Sequence, residues 1–344
     1  MLNRVRRRTM NHFHVAHLWV SGLLQAFEKV GLDTRQLGTG IREIREGQII
    51  DGHHLGIEAT RTLWHRASAI SNNPLLGIDV ARRQSPRTGG VLLPIMLHSP
   101  TALQALRHMV DYQPLLSDSG QYRIHPPSAN RLIRCEYVPA PGAVVVSNQQ
   151  VLSIVTQTLG LLRTVTNHRL QVRRFLVPEG MAAERIGQAL NCPCRAHSGN
   201  FFLEIDGQAM AAPVSERDEH LYQINLSYAE GLIRAKRRRQ TFIDGIKELI
   251  DDDRPALRTI DDVALALGLH KRVLQRHLRE HDTSFRQLKI SVLKTRALQR
   301  MIVQGWRTDA IAEELGYADL SAFHRAFKNW FGVSPRRFRE QPYE

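Results

Sequence analysis

TIDDVALALGLHKRVLQRHL, residues Thr259–Leu278, is the stretch that decides the architecture of the C-terminal third. Ile260, Val263, Ala264 and Leu267 recur at i, i+3, i+4 and i+7, one face of a helix of about two turns. Asp261 and Asp262 fall in its first turn, where the helix dipole favours negative charge. Gly268 supplies the permissive backbone of a tight turn between helices, and Leu269 is placed to plug the space between them. The next helix, Lys271–Arg279, sets Leu274 and Leu278 on its inner face and Lys271, Arg272, Gln275, Arg276 and Arg279 on its outer one. An acidic supporting helix followed by a basic one is the asymmetry expected when only the second enters a major groove. Arginine reads guanine and glutamine reads adenine through paired hydrogen bonds, so these residue types suit base readout.

A second copy follows. Ile311, Ala312 and Leu315 form the apolar face of Thr308–Leu315, Gly316 makes the turn, Tyr317 plugs it and Asp319 caps the next helix. That helix, Leu320–Trp330, buries Phe323 and Phe327 and presents Leu320, Ser321, His324 and Arg325. Gly268 and Gly316 stand 48 residues apart, an internal repeat with one residue added in the second turn. Between the copies, Ser284–Val303 reads as one long helix with apolar residues from Phe285 to Ile302. Twenty residues rise about 30 Å, against about 34 Å between successive major-groove faces. Such a rod sets two recognition helices in adjacent grooves, with DNA bending taking up the shortfall.

The segment GYADLSAFHRAFKNWFGVSPRRFR (Gly316–Arg339) resembles the signature of the AraC/XylS family of transcription regulators, and the resemblance extends over about 240–341. By position, the family's base-facing residues correspond to Arg272, Gln275 and Arg276 in the first unit, with Lys271 nearby, and to Leu320, Ser321, His324 and Arg325 in the second. Where the family usually caps the first recognition helix with serine, this chain has His270, a weaker cap. Three further stretches resemble the arabinose-binding-like effector domain shared with ornithine-utilisation and several virulence regulators. They are NNPLLGIDVA (Asn72–Ala81), Gly89–Gly120 and NCPCRAHSGNFFLEID (Asn191–Asp206).

Upstream, helical and strand patterns mix. Helices are expected over Val20–Val30, ended by Gly31, over Thr101–Val110 behind Ser99-Pro100, and over the apolar run Val151–Val165. Gln121–His125 and Arg131–Tyr137 flank a Pro-Pro-Ser-Ala-Asn turn and suggest a hairpin, and Val172–Val177 and Asn200–Ile205 are further strands. From about Glu216 the strand patterns stop. Leu221–Lys236 reads as a helix ending in the basic run KRRR, and Gln240–Ile250 as a second, short helix closed by Asp251-Asp252-Asp253 and Pro255. The KRRR run suits either a solvated helix end or phosphate contact. The expected fold class is an α+β N-terminal effector domain followed by an all-α DNA-binding domain, with two helix-turn-helix units joined by a long linking helix. The expected divisions are 1–215 for effector sensing or dimerisation, 216–240 for a helical linker and 241–344 for DNA binding.

At 344 residues, 42% hydrophobic and 23% charged, the chain has the composition of an ordinary globular protein of two domains. No run of about 18 apolar residues suggests a membrane span. The leader MLNRVRRRTM is followed by a histidine-interrupted stretch without a cleavage site, which disfavours a signal peptide and leaves Met1 or Met10 as the start. A formal net charge of +14 suggests a polyanionic partner. Its distribution tempers that inference. Arg4, Arg6, Arg7 and Arg8 contribute +4, residues 231–240 contribute +5, and residues 241–344 only about +3.

Three cysteines, Cys135, Cys192 and Cys194, give no disulfide framework and fit a reducing cytoplasm. Cys192-Pro-Cys194-x-x-His197 invites a soft-metal or reactive-thiol reading, and a thiol-based repair regulator is one rival hypothesis. Cys192 sits where the resembled effector domain often has cysteine before a strand, which implies packing instead. The scattered His12, His14, His17, His53 and His54 read as local polar residues. No phosphate loop, nucleophile elbow or HExxH motif occurs, so neither catalysis, metal nor cofactor is expected. The other rival is a non-specific architectural DNA binder. The expected partners are double-stranded promoter DNA, RNA polymerase, a small-molecule effector and a second copy of the chain, with no membrane. Regulation is expected to be activating. Effector-binding residues are not identifiable by pattern, although Tyr112 and Gln113 stand as candidate liners.

Overall fold

A computed structural model of the chain describes residues 14–125, 132–142, 144–214, 216–251, 254–281 and 283–340. The basic leader, His12, the turn cluster 126–130, Arg131, Asp252 and Asp253 lie outside these. The described part divides into two compact units between Arg234 and Ala235.

The N-terminal unit is α+β. It opens with β1 (His14–Val15), α1 (His17–Lys29) and α2 (Thr34–Leu37). The short strands β2 (Ile44–Arg45), β3 (Gln48–Ile49) and β4 (Leu55–Gly56) lead to α3 (Ile57–Ser71) and α4 (Leu76–Arg83). The pattern Val20, Leu23, Leu24 and Phe27 buries one side of α1 against Leu63 and Trp64 of α3, with Phe27 and Trp64 edge to face at 5.0 Å. Lys29 ends α1, and Gly31 takes a left-handed φ of 86° just beyond it. Asn72 closes α3 in the left-handed region, a conformation asparagine tolerates better than most residues.

Further on come α5 (Leu92–Leu97), α6 (Ala102–Tyr112), β5 (Gly120–His125), β6 (Leu132–Pro139) and α7 (Asn148–Val165). They are followed by β7 (Val172–Pro178), α8 (Ala183–Leu190), β8 (Cys194–His197), β9 (Phe201–Asp206) and α9 (Gly207–Ala211). Thr101 caps α6 by accepting from the Gln104 N–H. Among the described residues, five strands form one sheet in the order β5-β6-β9-β7-β8, antiparallel except for the β7–β8 pair. Period-two alternation gives it two unlike faces. Tyr122, Cys135, Tyr137, Leu203 and Phe175 turn inward to a core shared with Leu152, Val155, Leu159 and Leu162 of α7. On the other face, Arg134 and Arg174 flank the carboxylate of Glu204 at 2.6 and 3.6 Å. The close fit of α4 on α7 depends on Gly77, where a Cβ would collide with the carbonyl of Gln149.

The expected strands and the α7 helix are present with shifted ends, whereas β1–β4, β8 and several short helices had no readable period. The break expected in the linker is corrected. Leu221–Lys236 and Gln240–Ile250 are not two helices but one, α10 (Glu219–Ile250), so the KRRR run lies mid-helix rather than at a helix end. Between the two segments stand good helix formers and neither glycine nor proline, and Gln240 donates to Asp244 one turn on at 2.9 Å. Tyr112 and Gln113 are also engaged in packing. Tyr112 joins Leu92, Ile95 and Tyr222 in a small cluster, and Gln113 donates to the Gly120 carbonyl.

The C-terminal unit is all-α, built from the second half of α10 with α11 (Ile260–Ala266), α12 (Lys271–Glu280), α13 (Phe285–Leu298), α14 (Thr308–Leu315), α15 (Leu320–Phe331) and α16 (Pro335–Glu340). Ile243, Ile246 and Ile250 of α10 pack with Val263, Leu274 and Leu278. The linking segment departs from the regular rod expected. After α13, Gln299–Val303 widens into a π-helical turn, with Gln304 donating to Gln299. Arg300 in that turn lies 4.8 Å over the Trp306 ring and pairs with Glu314. Residues in a π turn advance less along the axis, so the segment is shorter than a 20-residue α-helix.

Lys247 is 2% exposed beside Ile246, and its Nζ has no hydrogen-bond partner. Burial pushes its amine down to about 8, with Asp244 acting in the opposite direction. Between pH 8 and 10.5 the unfolded chain keeps a proton that the folded chain has released, so stability rises with pH across that window. Lys247→Met is expected to stabilise the C-terminal unit by up to about 3 kcal/mol at pH 7 and to flatten the rise. Denaturant melts at pH 7, 9 and 10.5 measure both effects.

Candidate nucleic-acid interface

Thr259 and Asp262 form a reciprocal capping box at the start of α11, with the Thr259 N–H donating to Asp262 at 2.7 Å and the Asp262 N–H to Thr259 at 3.2 Å. The turn that follows is built twice. The Gly268 N–H donates to Leu265 at 3.0 Å and the Leu269 N–H to Ala264 at 2.9 Å. In the second copy, the Gly316 N–H donates to Glu313 and the Tyr317 N–H to Ala312, both at 2.9 Å. Gly268 and Gly316 have φ of 65° and 85°, the left-handed region that glycine enters at little cost. The repeat read in the sequence is therefore a repeat of backbone hydrogen bonds.

The two turns differ in crowding. At Gly268 a Cβ would meet nothing within 4 Å, whereas at Gly316 it would lie 3.0 Å from the Arg254 Cβ and 3.3 Å from the Leu257 Cγ. The plugs differ as well. Leu269 is half-buried, while Tyr317 meets Phe323 edge to face at 5.5 Å and Trp330 at 6.3 Å.

Both second helices bury a narrow stripe and expose the rest. In α12 the buried residues are Leu274 and Leu278, and Lys271, Arg272, Gln275 and Arg276 are all exposed. In α15 they are Phe323 and Phe327, with Leu320, Ser321, His324 and Arg325 exposed. Leu320 stands out as an apolar side chain 41% exposed at a helix start. Lys271 reaches back to Asp261 at 2.8 Å and Arg276 lies 3.7 Å from Glu280, both exposed pairs of little strength in water. The caps are unlike. The His270 Nδ1 accepts from Arg272 at a long 3.4 Å, and an Asp319 oxygen accepts from Ala322 at 2.6 Å.

An ion cluster that pattern reading missed joins the linking segment to the second copy. Glu314 of α14 accepts from Arg296 at 2.7 Å and from Arg300 at 2.6 Å, and Arg296 also reaches Asp251 at 3.1 Å. Glu314 and Arg296 are only 16% and 17% exposed. The missed signal was Arg296 and Arg300 one turn apart on a helix otherwise read for its apolar residues.

The cysteine motif has a plainer setting. Cys192 and Cys194 pack against the core of the N-terminal unit, and burial pushes both thiols up, Cys194 to about 12. His197 donates to the Asn200 carbonyl at 2.6 Å. Among the described residues, no three His, Cys, Asp or Glu side chains are placed to hold one metal ion. No helix among them is long and apolar enough to cross a membrane.

Residues 31–214 match the family described as the arabinose-binding domain of AraC transcription regulator, N-terminal, and residues 263–341 match a helix-turn-helix domain. The chain is 23% identical over 294 residues to the ornithine utilization regulator of Pseudomonas aeruginosa, covering 81% of this chain and 83% of that one. It is 30% identical over 126 residues to an uncharacterized helix-turn-helix-type transcriptional regulator of Mycobacterium tuberculosis, a match spanning 37% of each chain. A third relative, the regulator GadX of Escherichia coli, is 31% identical over 83 residues, 24% of this chain and 30% of that one. Among solved structures, the transcriptional regulator CdpR from Pseudomonas aeruginosa aligns over 92% of this chain and 98% of its own, with a TM-score of 0.44 and 20% identity.

Two stability measurements test the geometry. Gly268→Ala is expected to cost about 1 kcal/mol from backbone strain alone, and Gly316→Ala clearly more, because Arg254 and Leu257 must also give way. Glu314→Ala removes the carboxylate shared by two largely buried guanidiniums, leaving Arg296 with Asp251 and Arg300 without its carboxylate, and is expected to cost about 3 kcal/mol. Denaturant titration of each variant against the parent reads these differences.

Proposed function

The chain belongs to the AraC family of transcription regulators, and we propose from that membership a division of labour among its parts. It is a DNA-binding transcription regulator carrying an effector-type N-terminal domain. In the proposed division, residues 1–215 sense an effector or mediate dimerisation, residues 216–240 form the link, and residues 241–344 bind DNA. Helices α12 and α15 enter major grooves of one operator. Arg272, Gln275 and Arg276 face bases from the first, and Leu320, Ser321, His324 and Arg325 from the second, with Lys271 positioned for a phosphate. Arg276 and Arg325 supply the guanidinium forks that discriminate guanine, and Leu320 suits the methyl group of a thymine. Arginines and lysines around these helices set the protein on the backbone and thereby fix register without reading sequence.

The observation that carries this reading is the duplicated turn: two helix–glycine–helix units with matching hydrogen bonds, each exposing a polar recognition face. We further infer an activator that works in the cytoplasm as a homodimer and touches RNA polymerase at the promoter.

Mapping of bound sites across the host genome tests the reading, repeated with Arg276→Ala/Arg325→Ala. A small set of sites sharing a two-box motif is expected. Each substitution should weaken specific binding by about 1–3 kcal/mol and relax preference in its own box. Diffuse binding that survives the double substitution would instead favour an architectural binder.

A further inference from the structure

The two larger apolar cores of the N-terminal unit lie around α1 and α3 and between α7 and the sheet. Where they meet, the structure leaves a small cavity of about 10 Å³, room for a single water. Val15, Leu23 and Trp64 wall it from the first core and Ile154 from the second. Its polar lining is dense for an interior site: Gln84, Gln150, Ser117, Ser119 and Ser153 are all buried. Most of these are satisfied by one another or by neighbours. Gln84 donates to Thr88 and accepts from Gln157, and the Ser117 and Ser119 hydroxyls pair at 2.7 Å.

Gln150 is the exception. It is 3% exposed, and its side-chain carbonyl has no donor. The adjacent Gln149 uses both ends of its amide, donating to Pro74 and accepting from Gly77. A buried acceptor left unmade costs stability that the fold elsewhere avoids, which marks a place where a partner belongs. No charged side chain lines the cavity, so an ionic ligand would be desolvated without compensation. Trp19 and Ile154 are the two lining residues that are half-buried, the rest being buried.

We propose that this seam is the effector site, and that it takes a small uncharged molecule with an apolar body and one hydroxyl or amide N–H that donates to Gln150. The inference rests on the reading of the N-terminal unit as the effector domain. Seating such a molecule requires the lining to yield at its half-buried members, Trp19 and Ile154, because the resting cavity holds no more than a water. A molecule seated there touches both cores at once, and it therefore favours one spacing of them over another, as an effector must.

Cyclohexanol, which does not absorb where tryptophan does, is the probe. Methylcyclohexane lacks the hydroxyl, and cyclohexanecarboxylate carries a charge. Titrated into the full chain, cyclohexanol is expected to give a saturable change in tryptophan fluorescence and a rise in Tm. Methylcyclohexane should bind at least tenfold more weakly and the carboxylate not at all. Gln150→Leu removes the acceptor and should weaken cyclohexanol at least tenfold. Gln150→Met repeats the test if the leucine disturbs packing. A linear, non-saturating response to cyclohexanol, or equal affinity in the Gln150 variants, overturns the proposal, the unpaired carbonyl then being answered by resident water alone. Operator binding by the same samples separates the two claims. Sequence-specific DNA binding without a cyclohexanol response sinks the cavity and spares the regulator, and loss of specific DNA binding in the parent chain sinks the regulator itself.

Discussion

The C-terminal unit depends on one helix having two inner faces. Leu288 and Val292 of α13 complete the core around α11, α12 and the end of α10. Leu293 and Ala297 of the same helix, with Met301 of the π turn beyond it, complete the core around α14 and α15. Each helix-turn-helix unit alone has too few buried side chains to hold a core, as small domains generally do. Sharing α13 lets one element finish both. The Arg296–Glu314–Arg300 cluster then fixes how the second copy seats on the linking segment, a role for which directional ionic contacts are better suited than apolar ones. Because the same helix serves both cores, the exposed faces of α12 and α15 are held by one packing arrangement rather than by a tether.

Much of this was legible because helical units of this kind bury few residues at fixed spacing. Leu274 and Leu278, then Phe323 and Phe327, each four apart behind a glycine turn, leave little freedom of interpretation. The structure places the exposed faces of α12 and α15 where the spacing put them. The shared core of α13 was only half legible. Its apolar residues were evident, but the period could not show that they divide between two partners, nor that the last turn widens into a π turn where Arg300 meets Glu314 and Trp306. The break read between two helices at 237–239 failed for a related reason. A run of charge interrupts an apolar stripe without interrupting a helix, since lysine and arginine are good helix formers.

In the N-terminal unit legibility fell with the length of the element. The α7 helix and the β5–β6 hairpin carry periods long enough to read, whereas β1–β4 are two-residue strands that only tertiary contact creates. Polar residues in the interior were the least legible of all. Arg61 is 1% exposed and donates to the carbonyls of Ala140 and Val144, pinning α3 to the loop after β6. Gln149 and Gln150 are neighbours in sequence, and nothing in that sequence distinguishes the one that is fully bonded from the one that is not. Burial of this kind is decided by what arrives from 72 and 83 residues away.

The unlike caps of the two recognition helices carry a consequence for how each meets a polyanion. The N-terminus of α15 is already answered by the carboxylate of Asp319, whose charge offsets the positive end of the helix dipole and faces an incoming phosphate with like sign. The N-terminus of α12 is answered by an uncharged ring nitrogen held at a longer distance, so its dipole stays available to a phosphate. With α12 and α15 seated in adjacent grooves as proposed, displacement of condensed counterions is shared unequally along the operator, the half under α12 contributing the steeper ionic-strength dependence and the half under α15 the flatter one.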